Sequence, residues 1–135
     1  MTTKTWDGTT NDWYNNNGAD WSPTGDPAAT DDVIVNGGEA QLNPGDAGFT
    51  VASITLSNSG VLAIADPGVT QSVTGNVTNT AGSLDLQYGG ALSVSGNLTN
   101  SGALGLDDGT PGSGSSLTVG GNLTNTGTLN LDTFS

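Results

Sequence analysis

The chain has 135 residues and a formal net charge of −12, with Lys4 as its single basic residue against 13 acidic ones and with no histidine or cysteine. Without cationic side chains it cannot neutralise phosphates or anionic lipid headgroups, which excludes nucleic-acid binding and electrostatic membrane attachment. Without cysteine it has neither disulfides nor thiolate metal sites.

The N-terminal segment, residues 1–32, carries all three tryptophans, Trp6, Trp13 and Trp21, among the turn-forming runs Asn15-Asn-Asn-Gly18 and Ser22-Pro-Thr-Gly-Asp-Pro27. The extreme N-terminus, Met1-Thr-Thr-Lys-Thr-Trp6, lacks the apolar run of a signal peptide. Either a signal has been removed or export follows another route. No stretch reaches the ~18 consecutive apolar residues of a membrane-inserting helix. Large aromatics in an irregular segment ahead of a strand-rich region suit an end cap that shields an unpaired sheet edge. The competing reading is an aromatic platform for stacking surface glycans.

From residue 33 onward the pattern changes to short alternating strands. Val33-Ile-Val35 and Ala40-Gln-Leu42 come first, then Val51-Ala-Ser-Ile-Thr-Leu56 and Val61-Leu-Ala-Ile64. Three closely matched segments follow: Val73-Thr-Gly-Asn-Val-Thr-Asn-Thr80, Val94-Ser-Gly-Asn-Leu-Thr-Asn-Ser101 and Val119-Gly-Gly-Asn-Leu-Thr-Asn-Thr126. Each leads into a Leu-x-Leu pair: Leu84/Leu86, Leu104/Leu106 and Leu129/Leu131. The shared asparagines at 76, 97 and 122 give steps of 21 and 25 residues, the longer one absorbing the loop-like stretch Asp107–Ser116. The apolar positions alternate with small polar ones, which is the period of a strand and not of a helix.

A repeat of this size cannot close a core by itself but can do so stacked on its neighbours at about 4.8 Å. The expected fold is therefore all-β, a right-handed parallel β-helix (β-solenoid) of about five rungs spanning residues 33–135, the handedness following the rule for parallel crossovers. Asn76, Asn97 and Asn122, and with them Asn79, Asn100 and Asn125, are expected to stack as ladders at the corners. Their Asn-x-Thr sequons are the competing reading. The last rung, with Leu129, Leu131 and Phe134, has no polar layer after it and is expected to be open.

The run Trp6-Asp-Gly, Trp13, Trp21-Ser-Pro, Pro27 and Asp31-Asp-Val-Ile-Val35, followed by Gly-Asn-Leu-Thr-Asn repeats, resembles the passenger regions of bacterial autotransporter and haemagglutinin-like adhesins. That resemblance implies secretion, a right-handed β-helix and an adhesive or structural role outside the cell, at the bacterial cell surface or beyond it. It names no ligand.

Without histidine, cysteine or arginine, most general-base and nucleophile schemes lack their residues, and no enzymatic role is expected. Asp107, Asp108 and Asp132 cluster at one repeat position and form a candidate weak cation site with oxygen ligands that suit Ca²⁺, although Asp-Asp-Gly is also ordinary loop chemistry. No other cofactor is expected. The Thr-Asn-Thr/Ser triplets beginning at Thr78, Thr99 and Thr124 form short hydroxyl columns of the kind that ice-binding solenoids use. The leading expectation is a non-catalytic extracellular subunit that stacks head to tail with copies of itself into a fibre or surface layer. The alternative is an adhesin passenger fragment that binds a surface or glycan.

Overall fold

The computed structural model describes residues 2–107 and 114–132. The chain winds as a parallel β-solenoid with three sheets as its sides. The first layer supplies β1 (Thr3–Trp6) and β2 (Thr10–Asp12), and a short strand β3 (Trp21–Ser22) follows. Next come β4 (Asp32–Val35), β5 (Glu39–Leu42) and β6 (Thr50–Val51), then β7 (Ser53–Leu56), β8 (Val61–Ile64) and β9 (Thr70–Val73). The two layers after these hold β10 (Val77–Asn79), β11 (Ser83–Leu86) and β12 (Ala91–Val94), then β13 (Leu98–Asn100), β14 (Ala103–Asp107) and β15 (Ser116–Val119). The last layer holds β16 (Leu123–Asn125) and β17 (Thr128–Asp132). The sheets run β3-β1-β4-β7-β10-β13-β16, β2-β5-β8-β11-β14-β17 and β6-β9-β12-β15. Among the described strands layer-to-layer pairing is parallel, while β3 lies antiparallel against β1.

The four-stranded third sheet sets the count at four complete turns, with a partial layer at each end, where five rungs were expected. The fifth of the expected rungs is the partial C-terminal layer, and the N-terminal segment, expected as an irregular cap, is only partly irregular and adds a partial layer of its own. Thr3–Trp6 and Thr10–Asp12 pair in parallel with Asp32–Val35 and Glu39–Leu42 and so form the first layer. Alternation is present in Thr3-Lys-Thr-Trp6, but the inward positions hold Lys4 and Trp6 in place of the Val and Leu of later layers. The 25-residue step keeps its register, with Leu98 opposite Leu123 and Leu104 opposite Leu129, because the extra residues fall between β14 and β15 in the sequence and not within a strand.

Packing follows from that register. On the first sheet the inward column reads Lys4, Val33, Ile54, Val77, Leu98, Leu123. The second sheet stacks Ala40, Leu62, Leu84, Leu104 and Leu129 beside Leu42, Ile64, Leu86, Leu106 and Leu131. The third stacks Val51, Val73, Val94 and Val119. Each fully buried Val, Leu or Ile contributes about 1.5–3 kcal/mol, so a chain only one-third apolar still builds a continuous core. At one corner the layers approach so closely that only glycine fits. A Cβ on Gly82 would collide with the Gly60 carbonyl, one on Gly102 with the Gly82 carbonyl, and one on Gly127 with the Gly102 carbonyl.

Candidate functional site: the C-terminal layer

The two asparagine columns differ in construction. Asn79 and Asn100 are buried inside the coil, in the column that continues Val35 and Leu56. Asn79 Nδ2 donates to Asn100 Oδ1 at 2.8 Å, and Asn100 Nδ2 donates to Asn125 Oδ1 at 2.8 Å. Each amide also ties its own corner: Asn79 Oδ1 accepts from Gly82 N at 2.8 Å, and Asn100 Nδ2 reaches the Gly102 and Thr128 carbonyls at 3.2 and 3.0 Å. This is an amide ladder, satisfied internally as a buried polar group requires. Asn76, Asn97 and Asn122 lie on the outside and use a different link. The backbone N–H of Asn97 donates to Asn76 Oδ1, and that of Asn122 to Asn97 Oδ1, both at 2.8 Å. Asn76 and Asn97 thus spend their side-chain oxygens on holding the next layer.

The last layer presents what every earlier layer hides. Leu84, Leu98 and Leu104 are each 1% exposed, whereas their partners in the final layer, Leu123 and Leu129, are 46% and 38% exposed, and Leu131 is 66% exposed. Asn125 is exposed and accepts from Asn100 at Oδ1, while its Nδ2 donates to Gly127 O at 3.3 Å where Asn79 and Asn100 donate to the amide of the following layer. Phe134, expected with Leu129 and Leu131 at this end, lies outside the described residues.

The N-terminal end is closed by contrast. Trp6, Trp13 and Trp21 are buried. Trp21 packs edge-on between Trp6 and Trp13 at centroid distances of 4.9 and 4.7 Å, and Trp13 stacks on Phe49 at 4.5 Å with a 10° interplanar angle. Trp21 Nε1 donates to the Trp13 carbonyl at 2.9 Å and Trp6 Nε1 to the Thr9 carbonyl at 2.8 Å. β3 occupies the free edge of β1 at Thr5 and Trp6. Lys4, itself buried, holds the following turn by donating from Nζ to the Pro23 and Thr24 carbonyls at 2.9 and 3.1 Å. With their faces enclosed, the three indoles offer no surface for stacking a sugar. Phe49 and Lys4 escaped the sequence reading. Phe49 stands alone in a loop-like stretch, and only the strict alternation of Thr3-Lys-Thr-Trp6 marks Lys4 as inward.

The remaining candidates are spread along the coil. Asp107 and Asp132 are register partners in adjacent layers, and Asp108 lies outside the described residues. Among the described residues no group of three or more acidic side chains is placed to hold a metal ion. Acidic groups do crowd the N-terminal corner. Asp12 Oδ2 accepts from Asn43 Nδ2 at 2.9 Å and Asp46 Oδ2 accepts from Asn43 N at 2.6 Å. Burial, with Asp12 and Asp66 nearby, pushes the Asp46 carboxyl above the usual range. Burial and the charges of Asp26, Asp46 and Asp12 raise the Tyr14 phenol to about 12. On the outer face of the first sheet Thr55, Thr78, Thr99 and Thr124 are in register, one row more than the repeats alone predict. On the third sheet Ser72, Ser93 and Thr118 line up in the same way.

Comparison with family models, with characterised proteins and with solved structures found no match for this chain.

Proposed function

We propose that this chain is a non-catalytic structural β-solenoid of the cell exterior, built to be extended by a further layer at its C-terminal end. The observation that carries the reading is the exposure of Leu123, Leu129 and Leu131 at positions that are core in the preceding layers. Unpaired strand edges beside exposed apolar side chains are a template for another chain. The absence of histidine, cysteine and arginine supports a role without chemistry. The autotransporter and haemagglutinin-like resemblance of Trp6-Asp-Gly through the Gly-Asn-Leu-Thr-Asn repeats supports placing it outside the cell.

The test is light scattering and electron microscopy of the purified chain across a concentration series at low and high salt. Assembly that grows with concentration and is abolished by a charge at Leu131 is the expected result. A monomer under all conditions overturns the reading. Because twelve net charges oppose association, salt is expected to promote it. Calcium is expected to promote it further if Asp107, Asp108 and Asp132 hold a bridging cation.

A second reading, adhesion to a surface or glycan, is favoured by the uncharged, hydroxyl-rich outer face of the third sheet, whose register rows are Thr70, Ala91, Ser116 and Ser72, Ser93, Thr118. Binding of the monomeric rod to a glycan or an ice surface, lost on replacing Ser93 by a bulky charged residue, would favour that reading over assembly.

A further inference from the structure

We propose that Asn36 is a site of self-modification, where the amide nitrogen of Gly37 closes on the Asn36 side chain, expels ammonia and leaves aspartate or isoaspartate. The reaction needs only water and does not depend on whether copies of the chain associate.

The chemistry is local to an asparagine and the residue after it. The Gly37 nitrogen, on losing its proton, attacks Cγ of Asn36. An N–C bond forms, the Cγ–Nδ2 bond breaks, and Nδ2 takes up a proton and leaves as ammonia. The product is a five-membered succinimide. Water opens it at Cγ to give aspartate, or at the backbone carbonyl to give isoaspartate. Glycine as the following residue leaves the approach open because it has no Cβ, and serine obstructs it only slightly. The sequence holds four such pairs: Asn17–Gly18, Asn36–Gly37, Asn58–Ser59 and Asn100–Ser101.

The fold separates these four. Gly18 N donates to Asn15 O at 2.9 Å, Ser59 N to Ala81 O at 3.1 Å and Ser101 N to Asn79 O at 2.7 Å. Each of those nitrogens must give up its bond before it can attack. Gly37 N makes no hydrogen bond among the described residues. Exposure does not make the distinction, because Asn17, Asn36 and Asn58 are all exposed.

Asn36 is also activated from the next layer. Its Oδ1 accepts from Asn58 Nδ2 at 2.6 Å and, at 3.5 Å, from Ser57 Oγ. This oxygen gains negative charge as Cγ becomes tetrahedral, so the donors hold the transition state more strongly than the ground state. Gly37 lies at φ +132°, and a Cβ built on it would meet nothing within 4 Å, which leaves room for the ring and for water. Each conversion adds one negative charge at the corner between the first and second sheets. The isoaspartate branch also lengthens the backbone by a methylene, at a corner where a Cβ on Gly60 would already collide with Val35 O. That branch is expected to lower the melting temperature, so Asn36 limits the lifetime of the folded chain.

The experiment incubates the full chain in mildly alkaline buffer, folded in one arm and unfolded in urea in the other. Peptic digestion at low pH and mass spectrometry then follow each asparagine, and enzymatic methylation identifies isoaspartate. In the folded chain Asn36 is expected to convert roughly tenfold faster than Asn17, the factor that one hydrogen bond at Gly18 N represents. In urea the two Asn-Gly pairs are expected to convert at similar rates. Asn58→Asp suits the left-handed φ of 45° at that position and replaces the donor with an acceptor. With folding checked by circular dichroism, it is expected to slow Asn36 several-fold. Equal rates for Asn36 and Asn17 in the folded chain would overturn the proposal, as would an inert Asn36 in a folded chain whose unfolded form reacts. An unchanged rate in N58D would overturn the activating role of Asn58 and leave the free Gly37 amide as the cause.

Discussion

Replacing Asn100 with aspartate keeps the side chain's shape and reverses its chemistry. Asn100 is fully buried, and its Nδ2 donates to Asn125 Oδ1, Thr128 O and Gly102 O at 2.8, 3.0 and 3.2 Å, while its Oδ1 accepts from Asn79 at 2.8 Å. In Asn100→Asp a carboxylate confronts three oxygens and retains one donor. Leaving a buried charge without its partners costs about 3–5 kcal/mol. Asn100→Leu removes the same bonds without burying a charge, and Leu56 already occupies this column two layers earlier. Its cost is therefore set by lost hydrogen bonds, about 1–3 kcal/mol in total. The introduced carboxyl has a folded-state pKa above its unfolded value, so the excess cost of aspartate over leucine is present at pH 7. It shrinks as pH falls through the folded pKa, because the protonated acid can donate once more. Urea unfolding followed by circular dichroism at pH 7 and pH 4, with linear extrapolation, measures both variants. Aspartate costing no more than leucine at pH 7, or a difference that ignores pH, would refute the ladder as a donor-directed structure.

Removing the Trp13 ring by Trp13→Ala, which takes away the stack on Phe49 and the edge contact with Trp21, is expected to cost about 3–5 kcal/mol. It should also make the chain aggregate on heating, as read by the melting temperature and light scattering. Gly102→Ala drives a methyl into the Gly82 carbonyl and the Asn79 amide. An overpacking cost of about 1–3 kcal/mol is expected, against a smaller effect for alanine at Gly68, where nothing lies within 4 Å although the positive φ adds some strain. The raised pKa of Asp46, from burial first and then Asp12 and Asp66, means the fold is most favoured with this group protonated. Its contribution is present below the unfolded pKa and is lost as pH rises through the folded one. Asp31 acts in the opposite sense, since N–H bonds from Ala28 and Thr2 lower its pKa and its contribution is lost as pH falls. Asp46→Asn is therefore expected to raise stability at pH 7 and to leave an acid limb set by Asp31, measured by thermal unfolding from pH 3 to pH 8.

How much was legible follows from which residues repeat. Gly-Asn-Leu-Thr-Asn followed by Leu-x-Leu appears three times, and a recurring polar residue amid alternating apolar ones is interpretable only if the copies touch. The solenoid, its parallel register and the stacking of like asparagines in successive layers all come from that. The first layer was missed because Thr3–Trp6 shares the alternation but not the residue types. Phe49 was missed because nothing local distinguishes a cap aromatic from a loop one.

The amino-acid order by itself determined the architecture, because each repeat buries its apolar face only against a neighbour of the same kind. Only the tertiary structure decided which asparagine column points inward and which outward. That depends on how the chain turns at the glycine corner, and both columns carry the same residue. It also decided that the two ends differ. Closure at Trp13, Trp21 and Lys4 joins residues far apart in the chain, including Phe49, and no pattern within one repeat can encode a contact made only once.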